Sequence, residues 1–374
     1  MLFIIARSTA IEKRGDSDSL CLQIGRLALY LSVMDTCHYK RTVFDWKLLP
    51  RPFSVMAPME HVTDSAFRRL VDFCGAPDVR YTEFMHVDKL CAGSGEDLRN
   101  RSTFHADERP LIAQIWGNRP GIFHGAVRRL MNLGFDGVDI NMGCSVPKVL
   151  DKGCGAALMK DPSLARELLL AAKEAARGRL AVSVKTRLGF DRVEPGWTEF
   201  LLAQEPAALI VHGRVATQRW QEPADWESIG AVVTQRDTLG NATALVGNGD
   251  VTSCADIQAR YRDYGVDGVM VGRAVLKNPF LFCSDGRSID SLSAGQRIEL
   301  LWLHARFCQE SLDESIAYTV LKKYVKRYIT TFQGAAELRA ALVKAGSFDE
   351  AHSLLDGYLG RMPGKNRVLR PLTS

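Results

Sequence analysis

The chain has 374 residues, 46% hydrophobic and 24% charged, which excludes a disordered or fibrous protein and suits a barrel of roughly 250 residues plus a domain of about 70. Its net charge of +5 at pH 7 permits a polyanionic partner without requiring one. Nine scattered cysteines without CxxC or Cys/His spacing argue against a disulfide framework or a metal site and fit a reducing cytoplasm, and no run of about 18 apolar residues offers a membrane span.

Residues 1–50 read as a nonessential N-terminal extension. Met1-Leu2-Phe3-Ile4-Ile5-Ala6 begins like the apolar part of a signal peptide, but Arg7 cuts it short and no basic segment precedes it. Glu12, Asp16 and Asp18 argue against an acid-poor transit peptide. Residues 23–33 could form a short amphipathic helix, and Met34 offers an alternative start.

From residue 51 short apolar runs alternate with helical patterns. The runs are Phe53–Ala57, Val79–Phe84, Leu111–Trp116, Gly137–Ile140, Leu180–Thr186, Ala207–Val211, Thr243–Val246 and Gly268–Val271. Amphipathic segments such as Pro120–Leu133, Pro162–Ala176 and Ala255–Tyr264 separate them. Strands that are hydrophobic throughout, alternating with helices, predict a parallel sheet with both faces covered. Eight such units over 51–283 predict an α/β fold, a closed (β/α)8 TIM barrel. No G-x-G-x-x-G follows the first strand, so a dinucleotide-binding Rossmann fold lacks its main support. Residues 284–292 form a polar linker. The pattern is then helical over 293–360, predicting a C-terminal all-helical domain, with a flexible tail over 361–374.

The strand ends carry residues an apolar core would not choose, at the barrel face where chemistry sits. The first ends in Ala57-Pro58-Met59, which could lie flat against a planar ring. The third carries Gln114, and the fourth ends in Asn141-Met142-Gly143-Cys144. There Cys144 could be a proton donor, a nucleophile or an inert buried thiol, and Asn141 could read the edge of a planar substrate. The fifth carries Lys185 and Arg187, and the sixth His212-Gly213-Arg214. Lys185 needs an anionic partner, either a reduced flavin ring or a barrel carboxylate such as Asp139 or Glu83. The seventh ends in Gly247-Asn248-Gly249-Asp250 and the eighth in Gly272-Arg273, the usual phosphate-binding loops of such barrels. A phosphate-bearing cofactor in the mouth is expected.

These motifs together resemble the flavin-dependent tRNA-dihydrouridine synthases from about Val55 to Leu342. The resemblance is carried by Ala57-Pro58-Met59-Glu60-His61-Val62-Thr63-Asp64, by Asn141–Cys144 and by Lys152-Gly153-Cys154-Gly155-Ala156-Ala157-Leu158-Met159-Lys160-Asp161-Pro162. It continues in Val184–Gly189, Val211–Arg214, Gly247–Asp250 and Val269–Arg273. It implies reduction of the 5,6 double bond of D-loop uridines in tRNA. FMN, reduced by NADPH, would give hydride to uracil C6, and Cys144 would protonate C5. It implies FMN contacts from Pro58, Met59, Gln114, Lys185, His212, Asn248, Gly249, Asp250, Gly272 and Arg273, and uracil contacts from Asn141 and Arg214. The family usually has Gly-Cys-Pro where this chain has Gly143-Cys144-Ser145, which loosens the backbone just after the thiol.

A cysteine of near-normal pKa is mostly protonated at pH 7, which suits an acid better than a thiolate nucleophile. Cys154 lies ten residues on, too far for a redox pair with Cys144, and reads as structural. In Leu321–Tyr328, Lys322/Lys326 and Lys323/Arg327 fall at i, i+4 with Tyr324 and Tyr328 alongside, a face suited to tRNA phosphates and base stacking. Two other readings stand beside this one: an FMN-dependent barrel oxidoreductase of a small molecule, and a non-catalytic tRNA-binding protein. A cytoplasmic monomer without a membrane or metal partner is expected.

Overall fold

The structure, a computed structural model, describes residues 43–361 apart from 94–95 and 219–221. The extension expected over 1–50 lies outside the described residues up to position 42, and the tail lies outside them beyond position 361. Eight strands form one parallel sheet: β1 (Phe53–Met56), β2 (Arg80–His86), β3 (Leu111–Trp116), β4 (Gly137–Met142), β5 (Ala181–Arg187), β6 (Ala208–His212), β7 (Ala244–Asn248) and β8 (Gly268–Val271). Their order is β1-β8-β7-β6-β5-β4-β3-β2. Val55 bridges Val79 to complete the ring. The Met56 N–H donates to Val79 O at 2.9 Å, and the Val79 N–H donates to Ser54 O at 3.1 Å. This is the expected TIM barrel. Its strands are apolar throughout because each is covered on both sides.

Side chains alternate across each strand, and here that separates lumen from shell. Val138, Ile140 and Met142 of β4 join the outer core beneath the helices, which puts Asp139 and Asn141 on the lumen side. The same period turns Gln114, Ser183, Lys185, Arg187, His212 and Asn248 inward. Register sets Gln114 beside Asp139, Asn141 beside Lys185, Arg187 beside His212 and His212 beside Asn248. Below this polar layer the lumen is filled by Phe53, Val55, Tyr81, Ile112, Ile210, Val246 and Met270. Trp46, buried 5.7 Å from the Phe53 ring, closes the floor.

Ten helices among the described residues belong to the barrel: α1 (Ser65–Gly75), α2 (Val87–Ala92), α3 (Glu96–Ser102), α4 (Pro120–Leu133), α5 (Pro147–Leu150), α6 (Pro162–Ala176), α7 (Pro195–Leu202), α8 (Trp226–Thr238), α9 (Cys254–Tyr264) and α10 (Arg273–Lys277). Proline opens α4, α6 and α7, where its missing N–H and fixed φ cost nothing. Among the described residues no strand follows β8. The chain continues as α11 (Ala294–Ser311), α12 (Glu314–Tyr328), α13 (Ala335–Lys344) and α14 (Phe348–Leu359). The described helices include none long and apolar enough to cross a membrane.

The helical segment is bolted to α1. Tyr324 of α12 stacks on Phe67 of α1 with ring centroids 5.3 Å apart, and its hydroxyl donates to Val62 O at 3.3 Å. Arg69 of α1 donates to Glu310 at 2.7 Å and lies 4.3 Å over the Phe307 ring. Apolar residues of the barrel shell and of all four C-terminal helices form one continuous core.

Candidate active site at the barrel mouth

Cys144 stands two residues beyond β4, where the chain must turn from strand to loop. Asn141 makes that turn: its Oδ1 accepts the Gly143 N–H at 3.1 Å and the Cys144 N–H at 2.9 Å. Its Nδ2 donates to Gln114 Oε1 at 2.9 Å, and Gln114 Nε2 donates to Asp139 Oδ2 at 2.8 Å. The other Asp139 oxygen accepts from Ser183 Oγ at 2.7 Å and from the Tyr81 hydroxyl at 3.4 Å. From the far side Cys144 O accepts the Ala156 N–H at 2.9 Å. Burial raises the Cys144 thiol pKa, against the Val146 N–H facing the sulfur and the charge of Arg187. The thiol is therefore protonated at neutral pH. Cys154 is buried, and burial carries its pKa to about 11.

Next to this loop opens a cavity of about 970 Å³, at the upper end of the small-molecule range of roughly 300–1,000 Å³. Pro58, Met59, Lys185, His212, Asn248, Gly249, Asp250, Gly272 and Arg273 all line it, as does Arg214. Of the expected cofactor residues only Gln114 stands back, fully buried behind Asn141. Lys185 Nζ donates to Asn248 Oδ1 at 3.2 Å, and Asn248 Nδ2 donates to Met270 O at 2.8 Å. Burial, with Arg187 beside it, lowers the Lys185 amine to about 8, while Asp139 pulls the other way. His212 is held neutral at pH 7: burial and then Lys185, Arg187, Arg214 and Arg273 push its pKa well below the usual value.

Arg214 and Asp250 brace one wall. Arg214 Nη2 donates to Asp250 Oδ2 at 2.6 Å, and its Nη1 lies 3.1 Å from His212 Nε2. Asp250 also accepts the Ala224 N–H at 2.7 Å and has Arg273 at 3.7 Å. Burial opposes its charge, but these hydrogen bonds and the arginines outweigh it and keep the carboxyl below its ordinary range. Gly249 sits at φ 135°, where a side chain would strain the backbone and meet Ala224 Cβ at 2.6 Å. At Gly272 a Cβ would meet only Ala57, at 3.7 Å, so the space beside its Cα is open.

Two features escape a linear reading. Arg187 stands out at its strand end, but its role comes from across the barrel: Nε donates to Gly143 O at 2.8 Å and Nη1 to Val215 O at 3.0 Å. It thereby ties the Cys144 loop to the cavity it lines. Glu60 is gripped by both Arg101 Nη atoms at 2.8 Å, and its charge adds to the upward pressure on the Cys144 pKa. Arg101 lies on α3, far along the chain from Glu60, and no spacing announces the pair.

The helix face expected to bind RNA is only partly as anticipated. Lys323, Lys326 and Arg327 are exposed, and Lys322 is half-buried with its amine 4.9 Å over the Tyr318 ring. Lys323 lines a separate crevice of about 440 Å³ with Asp64, Glu83, Arg101 and His61. The stacking role expected of Tyr324 and Tyr328 fails, because both are buried. Tyr324 packs on Phe67, and the Tyr328 hydroxyl pairs with His304 Nδ1 at 3.2 Å. An i, i+4 pair of tyrosines fits a buried stripe as well as an exposed one, and here it fastens the helix.

Comparison with known proteins places the chain in a family. A family model described as dihydrouridine synthase matches residues 55–359. The probable tRNA-dihydrouridine synthase 2 of Bacillus subtilis strain 168 is 40% identical over 317 residues, 84% of this chain and 96% of that protein. A probable tRNA-dihydrouridine synthase of Staphylococcus epidermidis strain RP62A is 38% identical, covering 86% of this chain and 98% of that protein. Among solved structures, morphinone reductase aligns with a TM-score of 0.42 at 14% identity over 61% of this chain and 84% of that one. With the family model spanning most of the chain, this protein belongs to the dihydrouridine synthase family.

Proposed function

We propose that this chain reduces the 5,6 double bond of particular uridines in the D-loop of tRNA, using FMN in the barrel mouth and Cys144 as the acid. Both relatives carry tRNA-dihydrouridine synthase in their names. The observation that carries the reading is a protonated thiol on a braced loop beside a cation-lined cavity, the two joined by Arg187.

The donor set fits a phosphate-bearing flavin. Lys185 is a half-buried cation whose lowered pKa marks the want of an anionic neighbour, and Arg273 lines the same cavity with a guanidinium suited to charge-assisted bonds to a phosphate. Gly272 lines the cavity with no side chain of its own, so a phosphate can come close to its backbone. Pro58, Met59, Asn248 and Gly249 complete the lining, while Asp250 keeps Arg214 in place. When bound, FMN supplies hydride for uracil C6 after NADPH has reduced it.

The remaining work falls to the protein. The target base is stacked in folded tRNA and must be turned out into the mouth. Asn141 has one amide hydrogen engaged with Gln114 and can offer the other to a uracil carbonyl. Arg214, fixed by Asp250, can meet the same base. Cys144 delivers its proton to C5 as electron density builds there, and a thiol kept protonated by burial is suited to that step. Lys326 and Arg327, exposed on α12, supply phosphate contacts.

Cys144→Ala tests the assignment. The variant should retain flavin and bind tRNA normally, yet reduce uridine roughly 10²–10⁴-fold more slowly. Stopped-flow reoxidation of the reduced flavin by unmodified tRNA gives the rate. Wild-type rates in this variant would remove Cys144 from the reaction. Rapid reoxidation by a small enone, with none by tRNA, would point to a small-molecule reductase instead.

A further inference from the structure

We propose that Asp139 is a positioning residue: it sets the direction of the buried amide chain Gln114–Asn141 and so holds the Cys144 loop in place. The proposal rests on the reading of Cys144 as the acid and assigns a task to a carboxylate that reaches neither the thiol nor the cavity. Asp139 and Gln114 are fully buried and Asn141 nearly so. All three face the lumen, with β3 and β4 pairing Gln114 to Asp139.

Carboxamides are two-faced, with an acceptor at one corner and donors at the other, so a chain of two can run either way. Here both ends dictate the direction. At the loop end, the Gly143 and Cys144 N–H groups need an acceptor, which is Asn141 Oδ1 at 3.1 and 2.9 Å. At the other end, an ionised carboxylate only accepts, so Gln114 must present Nε2 to Asp139 and Oε1 to Asn141. The hydroxyls of Ser183 and Tyr81 donate to the second Asp139 oxygen and keep the carboxylate facing the chain. Every donor in the series then points from the loop toward Asp139. With a neutral amide at position 139 the chain can also run in reverse, turning the Asn141 NH₂ toward two backbone N–H donors. The turn that presents Cys144 would lose both hydrogen bonds in that population.

Amide hydrogen exchange of the peptide spanning 141–146 reads those two bonds whether or not the protein is turning over. In Asp139→Asn, exchange at Gly143 and Cys144 should quicken about tenfold, the scale of one ordinary hydrogen bond broken. In the double variant Asp139→Asn, Gln114→Glu the carboxylate has moved one link along the chain. It still accepts from Asn141 and now takes a donor from position 139, so protection should return to near the wild-type level. Gln114→Met, which cuts the chain with an apolar side chain, should resemble Asp139→Asn and serves if that variant folds poorly. Exchange in β8 should stay constant throughout, which general loosening of the barrel would not allow. Wild-type protection in Asp139→Asn, or no recovery in the double variant, would overturn the proposal. If protection follows this pattern while Cys144→Ala turns over normally, Asp139 still positions the loop and the acid assignment is what fails.

Discussion

Lys185 shows how a lumen position tunes a single side chain. A lysine in water keeps its charge to beyond pH 10, but burial and Arg187 bring this amine to about 8. Below that pH it meets an anionic ligand already charged. Above it, binding must recruit a proton, and affinity drops by up to about tenfold per pH unit. FMN affinity, followed by quenching of flavin fluorescence, should hold steady near pH 7 and decline beyond about pH 8. Lys185→Met should bind more weakly at pH 7 and show a flat profile across the same range. A decline of equal steepness in that variant would assign the titration to another group. His212 cannot be that group, since it is neutral long before pH 8.

At the scale of elements, the strands were easy to read because both faces of each are buried, which leaves unbroken apolar runs. Leu111–Trp116 and Gly268–Val271 match the observed strands, as Pro120–Leu133 and Pro162–Ala176 match helices. The strands run past the expected ends at Asn141, His212 and Asn248, polar residues that look like loop but face a lumen of polar partners. The cavity lining was legible from its strand-end position. The engagement of Gln114 and Asn141 with each other was not, since it depends on the register of β3 against β4 and not only on their being neighbours. Helix α12 illustrates the same limit. Its period marks two faces, but only the tertiary structure shows that Ala317, Leu321, Tyr324 and Tyr328 are the buried one. Exposed Lys323, Lys326 and Arg327, with half-buried Lys322, remain the RNA-binding candidates. Replacing Lys322, Lys323, Lys326 and Arg327 by alanine should weaken tRNA binding and leave NADPH-driven flavin reduction unchanged. The slope of log K against log salt should become shallower by roughly 0.7–0.9 for each phosphate no longer neutralised. An unchanged slope in the quadruple variant would make this face a solvated surface.

For the whole molecule, the continuous core means that barrel and helical segment stabilise each other, and Asp64 at the seam between them predicts a pH dependence. Asp64 caps α1 by accepting the Phe67 N–H at 2.9 Å. Burial and then Glu83 raise its pKa to about 7, against that cap, Arg68 and Lys323. A carboxyl whose folded pKa is raised favours folding most below its unfolded value of 3.8 and loses that contribution as pH climbs through about 7. Asn caps as well as Asp and carries no charge. Asp64→Asn should therefore gain stability relative to wild type between pH 5 and pH 8, by at most roughly 3 kcal/mol for about two pH units. Urea melts at the two pH values measure the difference. A gap between variant and wild type that stays the same would show that Asp64 is ionised at both.

Trp46, Phe53 and Ile112 are fully buried at the lower end of the lumen, which leaves the mouth as its open end. On the proposed chemistry Cys144 spends its proton once per cycle and is recharged from that same opening. A base seated there is a cork in the spout. The reduced nucleotide would have to depart before the thiol is refilled, and each uridine would need its own visit from solvent.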